Sequence, residues 1–266
     1  MLSSIISQLQ QDPIAYLSKL CFVIPAVLLA LTCHEVAHGY VALRCGDPTA
    51  KMMGRLSLNP LHHLDPLGTL CMVFLGFGWA KPVPVNPRNF RHYVRDDFFV
   101  SIAGITVNLI LFLLSTLLMV AVNQIMFVPE ILEYYGASSF LSVKGGFFWG
   151  IYSGSKDFFD ALVEANAFRV SWLFYVQRFL MIFSLMNLCL AIFNLIPIPP
   201  LDGYHLVNDV LLKGRLQLNQ QTFWICQIAL MAVCFGTDIL SNLLSAAEEA
   251  VQSGLITLLT ALFGIG

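Results

Sequence analysis

The sequence predicts an all-α polytopic membrane protein, with about four to six transmembrane segments and a short β-hairpin or re-entrant loop near its candidate site. Three observations predict it. Of 266 residues, 58% are apolar or aromatic and only 11% are charged, whereas a soluble domain carries about 25% charged residues. The mean hydropathy is +0.76. Several long stretches carry no charge at all, the longest being the 32 residues Phe98–Pro129, and about 20 apolar residues suffice for a helix to cross a bilayer. So apolar a composition excludes a disordered chain. With 14 Lys and Arg against 16 Asp and Glu, no basic surface remains for nucleic acid.

The elements follow in order. Leu2, Ile5, Ile6 and Leu9 share one helical face and no cationic leader precedes them, so residues 1–19 are expected to form an amphipathic helix lying in the interface rather than a cleaved signal. Leu20–Cys33 is free of charge and continues helically through His34-Glu35-Val36-Ala37-His38 to about Leu43, a first span. Pro66–Ala80 is apolar but short and interrupted by Gly68, Gly76 and Gly78, which suits a partial or re-entrant segment. Phe98–Pro129 is a second full span, Phe179–Leu201 and Leu216–Thr237 are two more, and residues 250–266 form a short final segment.

The chain thus divides into the interfacial helix 1–19, a core over 20–216 and C-terminal membrane helices over 217–266. Residues 124–170 are read as an insertion into the core, either a partner surface or an extra hairpin. Lys81, Arg88, Arg91 and Arg95 in one connection, and Lys213 and Arg215 in another, are expected to face the cytoplasm. Residues 130–170, richer in acids than bases, are expected on the other side. The seven cysteines contain no Cys-x-x-Cys pair and read as buried hydrophobes.

His34-Glu35-Val36-Ala37-His38 carries the chemistry. Positions i and i+4 of a helix differ by about 40° in azimuth and 6 Å in rise, so both imidazoles leave one face and can share a tetrahedral metal. Glu35 lies beside them, where it can accept a proton from an attacking water. Such groups within a membrane helix are costly unless partnered, and are functional by default. A third protein ligand is needed, a carboxylate or histidine at similar depth. Asp202 is the candidate: it ends a charge-free run inside Asn194-Leu-Ile-Pro-Ile-Pro-Pro-Leu-Asp-Gly203, where three prolines break the helix and unwound backbone can line a polar cavity. The alternative for Asp202 is a solvated turn aspartate.

With these residues in place, the chain resembles the site-2 protease family of intramembrane zinc metalloproteases, in a minimal form without PDZ or CBS domains. The resemblance continues in Gly54-Arg-Leu-Ser-Leu-Asn-Pro60, His63-Leu-Asp65-Pro66-Leu-Gly68-Thr69, Gly78-Trp-Ala-Lys-Pro-Val-Pro-Val-Asn-Pro87 and Ala103-Gly104-x-x-x-Asn108. It implies one Zn2+ per chain held by His34, His38 and Asp202, with Glu35 as the general base. It further implies hydrolysis of peptide bonds in or beside transmembrane segments of membrane-protein substrates. The expected setting is the plasma membrane of a prokaryote, with the active site towards the cytoplasm and a regulatory membrane partner as a candidate for gating.

Secondary residues have two readings each. Asn108, one turn beyond Gly104, and Asn194 are either substrate or oxyanion donors or members of interhelical hydrogen bonds. His63 is either functional or a solvated loop histidine. Trp79, Pro82 and Pro84 belong to a segment, Gly76–Pro87, expected to gate access: its glycines hinge, the tryptophan favours the interface, and the prolines remove amide donors. Arg55–Leu58 alternates enough for a short strand that presents an edge to an extended substrate. Two other functions compete with proteolysis. A metal or proton transporter predicts further polar positions along the spans and an internal repeat, and an inactive scaffold predicts loss of Glu35.

Overall fold

The computed structural model describes residues 13–66, 68, 80–216 and 218–264. The chain is all-α. In order, α1 spans Pro13–Cys45, α2 Thr49–Met52, α3 Tyr93–Met126, α4 Pro129–Tyr135, α5 Ala137–Leu141, α6 Phe148–Ser153 and α7 Lys156–Glu164. Then come α8 over Leu173–Asn194, α9 over Asp202–Leu211, α10 over Gln220–Gly236 and α11 over Ile239–Phe263. Among the described residues, α1 (from Tyr16), α3 and α8 are long and apolar enough to cross a membrane. The helix α10 has 17 residues, and α11 has 25 and carries Glu248 and Glu249.

Several boundaries differ from the sequence expectation for physical reasons. Residues 13–19 are the first turns of α1 rather than a separate interfacial helix, and the rest of that expectation lies outside the described residues. The helix α8 starts six residues before Phe179, running through Arg178, and stops at Asn194 rather than Leu201. Pro197, Pro199 and Pro200 lack the amides a continued helix needs. No β-hairpin forms among the described residues. Leu64 and Ala80 make a single antiparallel bridge and so do Phe127 and Phe168, while Arg55–Leu58 is irregular. Prolines at 82, 84 and 87 remove the donors that a ladder past Ala80 requires. The re-entrant segment expected over 66–80 falls largely outside the described residues.

The chain forms two compact units. One comprises residues 28–110 and 187–244, the other 13–27, 111–186 and 245–264. The second holds an aromatic core. The insertion closes at its base, where Val128 N–H donates to Ala167 O at 3.0 Å and Arg169 N–H to Met126 O at 2.8 Å. Its four short helices bury Phe140 and Phe148 completely. Phe140 stacks on Phe147 with ring centroids 4.6 Å apart and meets Phe127 at 4.4 Å. From α11, the buried Gln252 donates to Leu141 O at 2.6 Å and accepts from Val143 N–H at 3.0 Å. Both ends of a polar side chain are thereby satisfied, as burial demands.

Arg178 is the largest fully buried side chain described, at 1% exposure. Nε and Nη2 donate to the carbonyls of Tyr152 (3.2 Å) and Ser153 (2.6 Å), and Nη1 donates to Ser18 Oγ at 2.9 Å. The guanidinium also lies 4.6 Å above the Phe22 ring, a cation–π contact. The last carbonyls of α6 thus find a cationic donor in place of the next helical turn. Gly154, at φ +65°, makes room: a Cβ there would lie 2.2 Å from the guanidinium carbon. Gly154→Ala is therefore expected to lose about 1–2 kcal/mol from the left-handed backbone alone, with the steric contact added. Thermal unfolding of the purified protein measures this, and an unchanged midpoint would show that Arg178 does not anchor the insertion.

Candidate metal centre

One turn of α1 separates His34 from His38, so the two rings leave the same side of the helix. They meet edge to face, with centroids 4.6 Å apart. His38 Nδ1 donates to Val100 O at 2.7 Å. That bond fixes the tautomer and turns Nε2 inward, to 3.0 Å from His34 Nε2. The break in the chain after Asn194 delivers the third group. Asp202 is the first residue of α9, and its Oδ2 stands 3.3 Å from each Nε2.

Three ligand atoms thus form a triangle with edges of 3.0, 3.3 and 3.3 Å. A tetrahedral ion at zinc's ligand distances of about 2.0–2.1 Å would hold its ligands about 3.3–3.4 Å apart, so the donor set fits zinc in both chemistry and size. Among the described residues, no other group of three or more His, Cys, Asp or Glu side chains is arranged to hold a metal ion.

The helix α3 closes one side of the triangle at Gly104. A Cβ there would lie 2.5 Å from His34 Cε1 and 2.5 Å from His38 Nε2, so only glycine lets the helix come this near. One turn further on, Asn108 is fully buried, and its amide has no hydrogen-bond partner among the described residues. The alternative of an interhelical hydrogen bond is not realised there. Asn194 donates to Leu190 O of its own helix at 3.0 Å. His63 does not join the cluster. It is buried, pairs through Nε2 with Ser57 O at 2.8 Å, and accepts Lys81 N–H on its own carbonyl at 2.8 Å.

Glu35 faces the segment 81–86, its Oε2 accepting Val83 N–H at 2.7 Å. Pro82 and Pro84 flank that contact, and Trp79 lies outside the described residues. Arg55, assigned by sequence to a strand edge, is buried instead and donates to Lys81 O at 2.7 Å. Val83, Asp47, Gly39 and Arg55 were not singled out as site residues by sequence. The contacts of Arg55 with Lys81 O, of Val83 N–H with Glu35 and of Asp47 with Asn86 N–H span 26 residues or more, and no spacing rule signals them.

The chain is similar to known proteins over most of its length. The profile of Peptidase family M50 matches residues 22–237. "Putative zinc metalloprotease YwhC" of Bacillus subtilis is 32% identical over 238 residues, covering 88% of this chain and 91% of that protein. "Putative zinc metalloprotease Rip2" of Mycobacterium tuberculosis is 29% identical over 135 residues, 49% of this chain and 51% of that protein. The Rip2 of Mycolicibacterium smegmatis is 32% identical over 104 residues, 37% of this chain and 40% of its own. No solved structure matches the chain significantly.

The helix α9 that presents Asp202 is fastened to α3 by an ionisable cluster. His205 Nδ1 meets Asp97 Oδ2 at 3.1 Å, which holds the imidazole above its ordinary pKa. Asp209, one turn on and buried, is pushed up to about 7 by that burial and by Asp97 beside it. Tyr204 lines the same cluster and is raised by burial first, with smaller contributions from Tyr93 and Asp209. The folded protein therefore keeps a proton on Asp209 that an unfolded chain, titrating near about pH 4, has released. Raising the pH between those values costs stability. Asp209→Asn mimics the protonated acid, so it is expected to raise the melting temperature by a few degrees at about pH 8 and leave it unchanged near pH 4. Thermal melts of both proteins at the two pH values check this. An equal shift at both would locate the effect in packing rather than in the proton.

Proposed function

The chain belongs to peptidase family M50, and from that premise we propose an intramembrane zinc protease that cleaves membrane proteins in or beside their transmembrane segments, in regulated intramembrane proteolysis. The protein is a multi-pass membrane metalloprotease of the site-2 type. The observation that carries the proposal is the Nε2–Nε2–Oδ2 triangle, with Glu35 next to His34 in the same helix.

In this reading His34, His38 and Asp202 hold the ion. Bound zinc supplies Lewis-acid polarisation of the scissile carbonyl and acidifies water. Glu35 takes the proton of the attacking water and returns it to the leaving amine. The Asn108 amide, buried one turn from Gly104 with both of its polar atoms unengaged among the described residues, supplies a donor to the developing oxyanion. A substrate helix must unwind first, since its amides are shielded by their own hydrogen bonds. Substrates are therefore single-span proteins with helix-destabilising residues. The loops around Arg88–Arg95 and Lys213–Arg215 face the cytoplasm, which puts the site towards that side of a prokaryotic plasma membrane.

Three experiments test it. Purified protein is expected to carry close to one zinc per chain. Alanine at His34, His38 or Asp202 should strip most of it, and Glu35→Gln should keep the metal while cutting turnover by about 10²–10⁴-fold. Quantitative proteomics of membranes from wild-type and Glu35→Gln cells should reveal at least one intact single-span protein that accumulates only in the variant. Zinc-replete Asp202→Ala, or identical membrane proteomes, would sink the assignment. For topology, a cysteine at position 144 in a cysteine-free background should react with an impermeant reagent from the non-cytoplasmic side only. Labelling from the cytoplasm alone reverses the orientation.

A further inference from the structure

The segment 81–86, Lys-Pro-Val-Pro-Val-Asn, carries only four backbone N–H groups because residues 82 and 84 are proline. Three of these have partners in the first compact unit. Lys81 N–H donates to His63 O at 2.8 Å, Val83 N–H to Glu35 Oε2 at 2.7 Å, and Asn86 N–H to Asp47 Oδ2 at 2.7 Å. Both ends of the segment are fastened further. Arg55 Nη2 holds the Lys81 carbonyl at 2.7 Å. Asp47, fully buried just past the end of α1, also accepts Asn89 Nδ2 at 2.7 Å and both the N–H and the hydroxyl of Thr49.

The middle is fixed by shape as well as by hydrogen bonding. Val83 is 7% exposed, and its side chain presses on Gly39, one turn after Glu35 on the same face of α1. A Cβ at 39 would lie 2.9 Å from Val83 Cγ1 and 2.7 Å from Leu56 Cδ2. The valine and its own amide therefore engage α1 at neighbouring turns. A slip of one residue in either direction would bring a proline nitrogen to Glu35, with nothing to donate. Only one register satisfies the carboxylate.

We propose that residues 81–86 are a positioning strap for the catalytic glutamate. The Val83 amide sets the rotamer of Glu35 by binding one carboxylate oxygen, leaving Oε1 for proton transfer, and Gly39 and Asp47 are positioning residues that act through the strap. The glycines of the hinged gate expected from sequence, Gly76 and Gly78, lie outside the described residues. From Lys81 to Asn86 the chain is anchored. The catalytic consequence rests on the protease reading above, whereas the contact itself does not.

Hydrogen–deuterium exchange on the full-length protein in lipid nanodiscs tests the contact directly, because peptides across the strap report so few amides. Val83 is expected to exchange slowly in the wild type. In Glu35→Ala it should exchange faster by about tenfold or more, with Lys81 and Asn86 still protected, and Gly39→Ala should release Val83 in the same way. Val83→Pro removes the donor itself. On the single-span protein that accumulates in Glu35→Gln membranes, it should lower kcat by about tenfold or more with KM and zinc content unchanged. Exchange at Val83 indifferent to Glu35→Ala overturns the proposal, as does wild-type kcat in zinc-loaded Val83→Pro. If that variant fails to fold, exchange in Glu35→Ala and Gly39→Ala decides. If the wild type cleaves nothing while Val83 still answers to Glu35, the protease reading fails and the strap contact stands.

Discussion

Two imidazole lone pairs and a carboxylate oxygen, gathered within 3.3 Å of one another, repel unless positive charge lies among them. The surrounding architecture serves to impose that convergence. One helix supplies two of the atoms and an i, i+4 spacing aims them. The third comes from a residue more than 160 positions downstream, which reaches the site because the chain stops being helical after Asn194 and starts again at Asp202. The helix carrying Gly104 presses against both rings, so neither can swing away. The helices α1, α3 and α9 therefore bear on a single small volume, and burial makes its electrostatics strong.

The same burial leaves the general rule of polar satisfaction little slack. His38 uses its outer nitrogen on the Val100 carbonyl, Asp47 uses both oxygens on four donors, and Glu35 takes a backbone amide. Prolines beside that amide ensure that no neighbouring donor competes for the carboxylate. Asn108, like Asn123 and Gln177, is buried with its amide unengaged among the described residues, and unsatisfied buried groups are costly enough to require a reason. Its place one turn beyond the closest approach to the histidines supplies one.

How much could be read from the sequence depended on the range of the interaction. Charge-free runs located α1, α3, α8 and α10, because the bilayer's demand on composition is local. The i, i+4 pair and Asp202 were legible because helix geometry and a proline-rich break are local too. Boundaries failed where a charge was taken as a terminus. Arg178 lies inside α8, since carbonyls from α6 and Ser18 solvate it. The strand expected over Arg55–Leu58 did not form, because its alternation reflects an arginine turned inward to a carbonyl 26 residues away. The contacts of Val83 with Glu35 and of Asp47 with Asn86 join backbone groups to side chains across 39 residues or more, and no periodicity encodes them. The insertion was equally opaque: its phenylalanines share a core with residues of α3, α8 and α11, with no repeat or motif to announce it.

That insertion is also less removable than a loop between spans would be. Deletion engineering commonly trims such segments to reach a minimal enzyme, on the assumption that a surface excursion can be cut at its base. Here the excursion provides two of the three described oxygen acceptors of a guanidinium housed in a membrane-spanning helix. A truncated version would leave that cation with only the Ser18 hydroxyl and the Phe22 ring among its described partners, at a cost of several kcal/mol. Shortened homologues are therefore expected to lack either the arginine or a helix that needs it. The two features should be gained and lost together, an evolutionary coupling set by solvation rather than by catalysis.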